Sequence, residues 1–366
     1  MESILVRSVN WLGDAVMSTP ALIRLRQARP EARLTLLSPE KLAGLWQGQP
    51  FVDEVLTFSS SENIWHIGRR LRAKKFTIGL AFPNSFRSAL ELWLAGIPKR
   101  LGVARSGRSL LLTQTVAPRE GAMEMRKRGV GEIRRRVQSM DEAIRYPLTA
   151  HHVHHYLHLV AALGASPGPV PPRLEVGEEE LEHVRGKFNL TRAPGQPWFG
   201  LCPGAEYGPA KRWPAERFVE AALSLREKTQ CRWIIFGVAA DRALAETIAG
   251  EIARVTKETP LNLAGQTSLR ELAVALKLCD LVLTNDTGPM HLASAVGAPV
   301  AAIFGSTSPE LTGPIFSARA QVVRCHAPCS PCFRRECPID LRCLRGIQTE
   351  QVVAAALQCM QGTAPA

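Results

Sequence analysis

The chain has 366 residues, of which 46% are apolar and 21% are charged, and its formal net charge is +12. A chain of this length can bury substantial cores and is expected to form about two domains. No apolar run approaches the roughly 18 residues that cross a bilayer, and Arg7 interrupts the first one, so the composition excludes a membrane-spanning protein and predicts a soluble protein without a signal peptide.

Short apolar segments alternate with longer helical patterns in both halves of the chain. Strands are predicted at residues 3–9, 33–38, 77–81, 198–202, 232–236, 281–284 and 300–304. This alternation is typical of βαβ units, so the sequence predicts an α/β protein with two Rossmann-like domains. Residues 164–173 hold too much Pro and Gly for a helix or strand, and they are predicted to link the domains, whose cleft is the expected site.

The first predicted strand leads into NWLGDAVMSTP, residues 10–20, which opens a helix that runs to about Arg29. Asp14 lies at the carboxyl end of that strand, where open α/β sheets place their ligands. Its carboxylate could act as a general base that takes the proton from an acceptor hydroxyl. The alternative is a helix N-cap, a common role for aspartate at such a position.

Residues 83–88, with the sequence PNSFRS, form a loop after the strand predicted at 77–81. A loop at the end of a parallel strand is directed toward the ligand edge of the sheet. Asn84 and Arg87 are therefore candidates to contact an anionic acceptor.

Positive charge is concentrated in residues 99–136, which hold eleven Lys or Arg and three Glu, a formal charge of +8. This span suits nucleic acid, an anionic membrane face or a phosphorylated or carboxylated substrate, and Arg100 is a further acceptor-binding candidate. Nucleic acid is disfavoured because no aromatic residue falls between Pro98 and Met140 to stack on bases. The weak periodicity of residues 105–136 predicts a mobile loop or lid, and a solvated loop without a partner is the alternative.

A run of histidines precedes and enters a predicted helix at residues 156–163. The run comprises His151, His152, His154, His155 and His158. Metal binding by these residues is disfavoured, because an exposed polar helix start explains them.

The strand at 198–202 leads into CPGAEYGPAKRWP, residues 202–214, a loop that opens a helix near Pro214. Lys211 and Arg212 are held beside that helix start. A lysine there can neutralise charge on a leaving diphosphate without a metal. The alternative is a surface Lys-Arg pair with Trp213 as a hydrophobic anchor.

The segment NDTGPMHLA, residues 285–293, joins the strand at 281–284 to a helix that ends near Gly297. Pro289 suits the start of the helix and Thr287 or Gly288 suits the cap, so the unpaired backbone N–H groups form an anion site that a diphosphate could fill. His291 is either a donor to a phosphate oxygen or a packed structural residue. A well-capped crossover helix is the alternative for the whole segment.

Five of the nine cysteines lie close together in the sequence, at Cys325, Cys329, Cys332, Cys337 and Cys343. The length of the chain and the lack of an export signal favour reduced thiols in the cytoplasm over disulfides. Four soft ligands at this spacing are compatible with a structural zinc site and, less specifically, with an iron–sulfur site. Buried or redox-inactive thiols are the alternative, since only Cys329 and Cys332 form a C-x2-C pair.

Taken together and in this order, the segments NWLGDAVMSTPAL, LCPGAEYGPAKRWP, NDTGPMHLASAVG and CSPCFRRECP resemble the heptosyltransferases of glycosyltransferase family nine, most closely its heptosyltransferase II group. The resemblance covers nearly the whole chain. It implies a GT-B fold, in which two Rossmann-like domains with parallel sheets face each other across a cleft. The acceptor-binding domain would be residues 1–168 and the donor-binding domain residues 174–346. Residues 347–366 would form a C-terminal helix and tail that packs on the N-terminal domain.

By the same resemblance, the chain is an inverting glycosyltransferase of lipopolysaccharide core biosynthesis that requires no cofactor. Heptose would pass from ADP-L-glycero-β-D-manno-heptose to the heptosylated Kdo-lipid A inner core. Asp14 matches the catalytic base of the family and Lys211 matches its diphosphate-binding lysine. The residues of this chain that match the donor-binding loops of the family are Asp286, Thr287, Gly288, His291, Glu206 and Tyr207.

A phosphate-rich glycolipid acceptor implies a cytoplasmic enzyme in peripheral contact with the inner membrane and without a nucleic-acid partner. Two other functions are compatible with the sequence. One is transfer by a member of the same family at another core position, such as the first heptose. The other is nucleotide or nucleic-acid binding by a metal-bearing protein without transferase activity.

Overall fold

A computed structural model describes residues 2–105 and 107–361, and in it the chain forms two compact units. The first unit comprises Met1–Ala122 and Thr149–Glu175. The second comprises Met123–Leu148 and Val176–Ala366. Each unit is built on its own sheet.

The described residues contain twelve strands, six in each sheet. They are β1 (Ser3–Arg7), β2 (Arg33–Pro39), β3 (Glu54–Phe58), β4 (Ile78–Ala81), β5 (Lys99–Val103), β6 (Gln114–Val116), β7 (Trp198–Cys202), β8 (Arg232–Ile235), β9 (Leu261–Asn262), β10 (Leu281–Asn285), β11 (Val300–Phe304) and β12 (Ala320–Arg324).

The same residues contain fourteen α-helices. They are α1 (Leu12–Met17), α2 (Thr19–Ala28), α3 (Ile64–Arg72), α4 (Phe86–Leu94), α5 (Val130–Gln138), α6 (Val153–Ala161), α7 (Glu178–Lys187), α8 (Ala215–Thr229), α9 (Arg242–Thr256), α10 (Leu269–Lys277), α11 (Gly288–Ala295), α12 (Pro309–Thr312), α13 (Arg342–Arg345) and α14 (Thr349–Gln361). Short 3-10 helices cover Glu40–Trp46, Arg108–Leu111, Leu148–Ala150, Pro209–Lys211 and Ala239–Asp241.

Both sheets are parallel throughout, as the alternation of strands and helices predicts. The first has the strand order β3-β2-β1-β4-β5-β6 and the second β12-β11-β10-β7-β8-β9. In each sheet the order reverses once, between β1 and β4 in the first and between β7 and β10 in the second. Loops that leave neighbouring strands in opposite directions open a crevice at the carboxyl edge, so each unit has one expected ligand position.

The strands predicted at 198–202 and 300–304 are confirmed to the residue as β7 and β11. The single helix predicted up to Arg29 is instead two helices, α1 and α2, that meet at Ser18. The Ser18 hydroxyl donates a hydrogen bond to the Ala15 carbonyl over 2.7 Å. A hydroxyl that bonds back to the preceding turn competes with the helical backbone bonds, which favours a break there.

Residues 123–148 group with the second unit, although the sequence division at residue 168 assigns them to the first domain. Hydrogen bonds to residues 325–343 explain the difference. The Arg128 guanidinium donates to the Pro331 carbonyl over 2.7 Å, and the Ile144 amide donates to the Ser330 carbonyl over 3.2 Å. The segment is therefore tied to a part of the chain almost two hundred residues away.

The sequence predicts a mobile loop or lid at residues 105–136, and this prediction is wrong because the span contains regular secondary structure. Within this span, the described residues form the 3-10 helix at 108–111, the edge strand β6 and most of α5. β6 pairs with β5 in register Leu101 to Gln114. β6 is short and contains Gln and Thr, so it shows almost no hydrophobic periodicity. The sequence pattern therefore does not predict this strand.

The C-terminal helix α14 packs within the second unit, and its packing on the N-terminal domain stays a prediction. It contacts α8 and the strands β10, β11 and β12, and it buries Val352, Val353, Ala356 and Cys359. Residues 362–366 of the predicted tail lie outside the described residues. In the described part of the chain, no helix has the length and apolar character that a membrane span needs.

Candidate functional site

The carboxyl edge of the first sheet brings Asp14 close to the loop that follows β4. Asp14 is the third residue of α1, the first helix after β1, and Trp11 rather than the aspartate occupies the N-cap position. The N-cap interpretation of Asp14 is therefore wrong. Its carboxylate is half-buried at the point where the strand order reverses. That is the position expected of a residue that acts on a ligand.

Tyr156, on α6, reaches Asp14 from a distant part of the chain. Its phenol donates a hydrogen bond to Asp14 Oδ1 over 3.3 Å. The Tyr156 ring is buried and packs on Phe82, with 5.3 Å between ring centroids. Burial, reinforced by the negative charge of Asp14, raises the pKa of Tyr156 well above its usual value. The phenol therefore stays a neutral donor that orients the carboxylate.

The histidine run lies beside this pair and is not the exposed helix start that the sequence predicted. His151 is buried, and its ring nitrogen Nδ1 accepts a hydrogen bond from the Val153 amide over 3.2 Å. The others are half-buried, namely His152, His154, His155 and His158.

Burial lowers the pKa of two of these histidines. It lowers the pKa of His152, and the charge of Asp14 opposes that shift. Burial, together with repulsion by His152 and His158, lowers the pKa of His155 to about 4. Of these two histidines, His152 at the N-cap of α6 is the one that interacts with the Asp14 charge.

Asn84 lies in the loop after β4, whereas Arg87 is the second residue of α4, so the loop predicted at 83–88 is shorter than expected. The Arg87 guanidinium pairs with Glu91 over 3.0 Å and donates to the Glu62 carbonyl over 3.1 Å. Glu91 is fully buried and also pairs with Arg7 over 2.7 Å. Asn84 Oδ1 is buried and has no hydrogen-bond partner in the described part of the chain. A buried amide oxygen without a partner is a group that a ligand donor could satisfy.

Arg100 does not join this group. It stands at the amino end of β5, the opposite edge of the sheet from Asp14 and Asn84. Its guanidinium donates to the carbonyls of Leu111, over 2.7 Å, and Ile97, over 2.5 Å. These bonds give Arg100 a role in fastening the loop between β5 and β6.

In the second unit, Lys211 and Asp286 meet at the crevice between β7 and β10. The Lys211 ammonium lies 2.6 Å from Asp286 Oδ2, and the two side chains are 14% and 3% exposed. The hydroxyl of Thr307, which follows β11, donates to the same carboxylate oxygen. The alternative interpretation, a surface Lys-Arg pair, is therefore wrong, since Lys211 is held in a nearly buried ion pair that links three loops.

Tyr207 supports this lysine from the same loop. The Lys211 ammonium lies 4.9 Å from the centre of the Tyr207 ring, within the range of a cation–π contact. The Tyr207 phenol donates to the Phe333 carbonyl over 2.7 Å. Glu206, the preceding residue, is exposed.

The start of α11 gathers the remaining predicted donor residues. Thr287 occupies the N-cap with an extended backbone, Gly288 is the first helical residue, and Pro289 follows it. His291, the fourth residue of the helix, is buried. A helix start next to a buried lysine concentrates positive potential, which suits a diphosphate.

The cysteine loop, residues 325–343, packs against the loop that carries Lys211. The Ala210 amide donates to the Arg335 carbonyl over 3.0 Å. A Cβ atom on Gly208, whose φ is +145°, would lie only 2.6 Å from that same oxygen. Glycine is therefore required where the two loops touch.

The cysteines of this loop have free thiols. Burial and the neighbouring Cys337 raise the pKa of Cys329, Cys332 and Cys343, so these four thiols lie near one another. Among the residues that the structure describes, no three His, Cys, Asp or Glu side chains are placed to hold a metal ion. The structural zinc site stays a prediction.

Sequence reasoning missed Tyr156 and Thr307. Tyr156 gives no local signal, because its partner is 142 residues away. Thr307 does have a local sequence signal, because it follows the predicted strand at 300–304 and therefore lies at the carboxyl edge of the sheet.

Comparison with known proteins gives a family match over most of the chain. The family model described as glycosyltransferase family 9 (heptosyltransferase) matches residues 64–128 and 121–342. Lipopolysaccharide heptosyltransferase 2 of Escherichia coli strain K12 is 32% identical over 335 residues, which cover 88% of this chain and 87% of that protein. Lipooligosaccharide heptosyltransferase 2 of Campylobacter jejuni serotype O:6 is 34% identical over 356 residues, which cover 96% of each.

The fold is also shared with solved structures. The structure of Escherichia coli ADP-heptose lps heptosyltransferase II superposes with a TM-score of 0.77 at 27% identity, covering 99% of both chains. The predicted α/β fold of the GT-B type, with two Rossmann-like units on parallel sheets, is confirmed.

Proposed function

This chain belongs to glycosyltransferase family 9, and on that premise we propose that it transfers L-glycero-D-manno-heptose from ADP-heptose to the heptosylated Kdo-lipid A inner core of lipopolysaccharide. The relatives named heptosyltransferase 2 support the heptose donor and the lipopolysaccharide acceptor. The observation that carries the proposal is the buried Lys211–Asp286 pair at the carboxyl edge of the second sheet.

The Lys211 loop and the start of α11 bind the donor in this proposal. The diphosphate draws on the Lys211 ammonium and on the backbone N–H groups near Gly288. Asp286 and Thr307 hold the lysine in place before the donor arrives. Glu206, Tyr207, Thr287 and His291 complete the donor contacts.

Transfer is a single displacement at the anomeric carbon. Asp14 accepts the proton of the acceptor hydroxyl, whose oxygen forms the new bond to carbon. The bond from that carbon to the diphosphate oxygen breaks, and ADP leaves with its charge balanced by Lys211. One displacement inverts the configuration at the carbon, and the charge balance requires no cofactor.

The acceptor is bound by the first unit in this proposal. Asn84 offers its unpartnered amide oxygen, and Arg87, partly exposed above Glu91, offers positive charge to a phosphate or carboxylate. The enzyme works at the cytoplasmic face of the inner membrane, where this acceptor is assembled.

The test compares two acceptors, Kdo-lipid A with and without its first heptose, incubated with ADP-heptose and the wild-type protein. Mass spectrometry of the products should show one added heptose on the heptosylated acceptor alone. Addition to the bare acceptor would assign the enzyme to the first core position, and addition to neither would contradict the proposal.

A further inference from the structure

The exposed aromatic residues of this protein are confined to the first unit. Of the described aromatic side chains, four are largely exposed, namely Trp11 (48%), Trp65 (66%), Phe86 (51%) and Trp93 (46%). Large aromatic side chains are usually buried in soluble proteins, and an exposed group of them marks an interaction surface.

Three of the four lie on α3 and α4, which pack side by side on one face of the first sheet. Both helices bury their inner residues in one core with Leu5 and Leu37. Gly68 allows the close approach, since a Cβ there would lie 2.5 Å from Leu94 Cβ. The outer sides of the two helices therefore form one continuous surface.

The apolar residues on the outer side of α4 follow the helical repeat. The exposed Phe86 and Trp93 and the half-buried Leu90 are spaced four and three residues apart, so they share one face of α4, opposite the buried Ser88 and Leu92. The 3-10 helix at 108–111 packs against α4 and exposes Leu110. We name these residues the aromatic face: Trp65, Phe86, Leu90, Trp93 and Leu110.

The chain that builds the aromatic face is strongly basic. Residues 64–116 hold ten Lys or Arg and a single acidic residue, Glu91, a formal charge of +9. Glu91 is fully buried between Arg7 and Arg87. The exposed charges within this segment are therefore all positive, and two of them are paired with carboxylates outside it, Arg70 with Glu62 and Lys74 with Glu54. On α3, Arg69 and Arg72 follow Trp65 at four and seven residues and border the face directly.

We infer that the aromatic face docks the protein onto an anionic lipid bilayer. Tryptophan and phenylalanine enter the boundary between headgroups and acyl chains, while lysine and arginine bind anionic headgroups.

The inference rests on the proposed function, because the lipid-linked acceptor of that function is presented at a bilayer. The N-terminal ends of α3 and α4, with Trp65 and Phe86, lie at the same carboxyl edge of the sheet as Asp14. Trp11, three residues before Asp14, is also exposed, and the Lys41 ammonium lies 4.9 Å from the centre of its ring. Docking therefore brings the bilayer beside the proposed acceptor site.

The test is sedimentation of the full chain with vesicles of phosphatidylcholine alone or mixed with phosphatidylglycerol. Wild type should bind the mixed vesicles and not the neutral ones, and added salt should weaken binding. Trp65→Ala with Trp93→Ala, and separately Arg69→Gln with Arg72→Gln, should each weaken binding at least about tenfold. Matched controls in the second unit, Val238→Ala with Val255→Ala and Arg185→Gln with Lys228→Gln, should bind as wild type does.

A transfer assay separates this inference from the proposed function. The tryptophan variant should lose transfer to acceptor embedded in mixed vesicles, yet keep wild-type turnover on a deacylated, water-soluble acceptor. Vesicle binding is measured without any substrate, so it stands or fails independently of heptose transfer. The inference is overturned if wild type does not bind mixed vesicles, if it binds neutral vesicles equally well, or if both variant pairs bind like wild type. It is also overturned if sedimentation velocity shows a dimer that the tryptophan variant abolishes, because a second copy would then cover the face.

Discussion

The Tyr156 phenol and the Asp14 carboxylate are joined by a hydrogen bond of 3.3 Å, although 142 residues separate them in the chain. Tyr156→Phe keeps the ring that packs on Phe82 and removes the donor. Because a hydrogen bond to a charged group contributes about 1.5 to 3 kcal/mol, kcat should fall about tenfold to a hundredfold with the KM for the donor nearly unchanged. Steady-state kinetics measures both, with Tyr146→Phe as the control, and an unchanged kcat would show that Tyr156 does not position the base.

Removal of the Lys211 ammonium should damage donor binding and turnover together. Lys211→Gln is expected to lower kcat/KM by a factor on the order of 10² to 10³, since the charge acts on the leaving diphosphate. Calorimetry with ADP and kinetics with ADP-heptose provide the measurement. Lys228→Gln, an exposed change on α8, is the control. Wild-type affinity for ADP in the Lys211 variant would place the diphosphate elsewhere.

A methyl group at Gly208 should separate the Lys211 loop from the cysteine loop. In Gly208→Ala the new Cβ would meet the Arg335 carbonyl oxygen at 2.6 Å, and φ is +145° there, so the backbone must move. We expect a loss of stability of about 1 to 3 kcal/mol and weaker ADP binding. Gly250→Ala, on α9 with open space around its Cα, should be neutral or stabilising. Denaturant unfolding and ADP titration compare the two, and equal behaviour would count against a rigid contact.

The stability of the first unit should depend on pH through His155. Its pKa is lowered from 6.5 to about 4 in the folded chain. As the pH falls below 6.5, the unfolded chain binds a proton that the folded chain excludes, so the free energy of unfolding decreases until pH 4, by about 3 kcal/mol in total. His155→Asn should remove that part of the pH dependence. Denaturant unfolding across this pH window provides the measurement, with the exposed His183→Asn as the control. An equal change of the unfolding free energy with pH in wild type and His155→Asn would refute the assignment.

The sequence predicted the positions of loops that directly follow an apolar strand. The apolar runs that became β1, β7 and β10 are fully recognisable by periodicity, and parallel strands place their carboxyl ends at one edge. Lys211 and Asp286 could therefore be assigned to the same edge, although only the structure shows that they form an ion pair.

Other features depend on contacts that no local pattern records. β5 reads KRLGV and begins with two charges, so its hydrophobic run is too short to identify. The assignment of residues 123–148 to the second unit depends on hydrogen bonds such as that from Arg128 to the Pro331 carbonyl. Burial of the histidine run follows from the packing of α6 on α2, which a stretch of polar residues conceals.

The role of Asp14 is the central claim, and single-turnover transfer from ADP-heptose to the heptosylated acceptor by Asp14→Asn tests it most directly. Asparagine keeps the shape of the side chain and cannot accept the proton. The transfer rate should therefore fall by a factor of about 10² to 10⁴, while the affinity for ADP stays at the wild-type value. A transfer rate within tenfold of wild type would contradict the account.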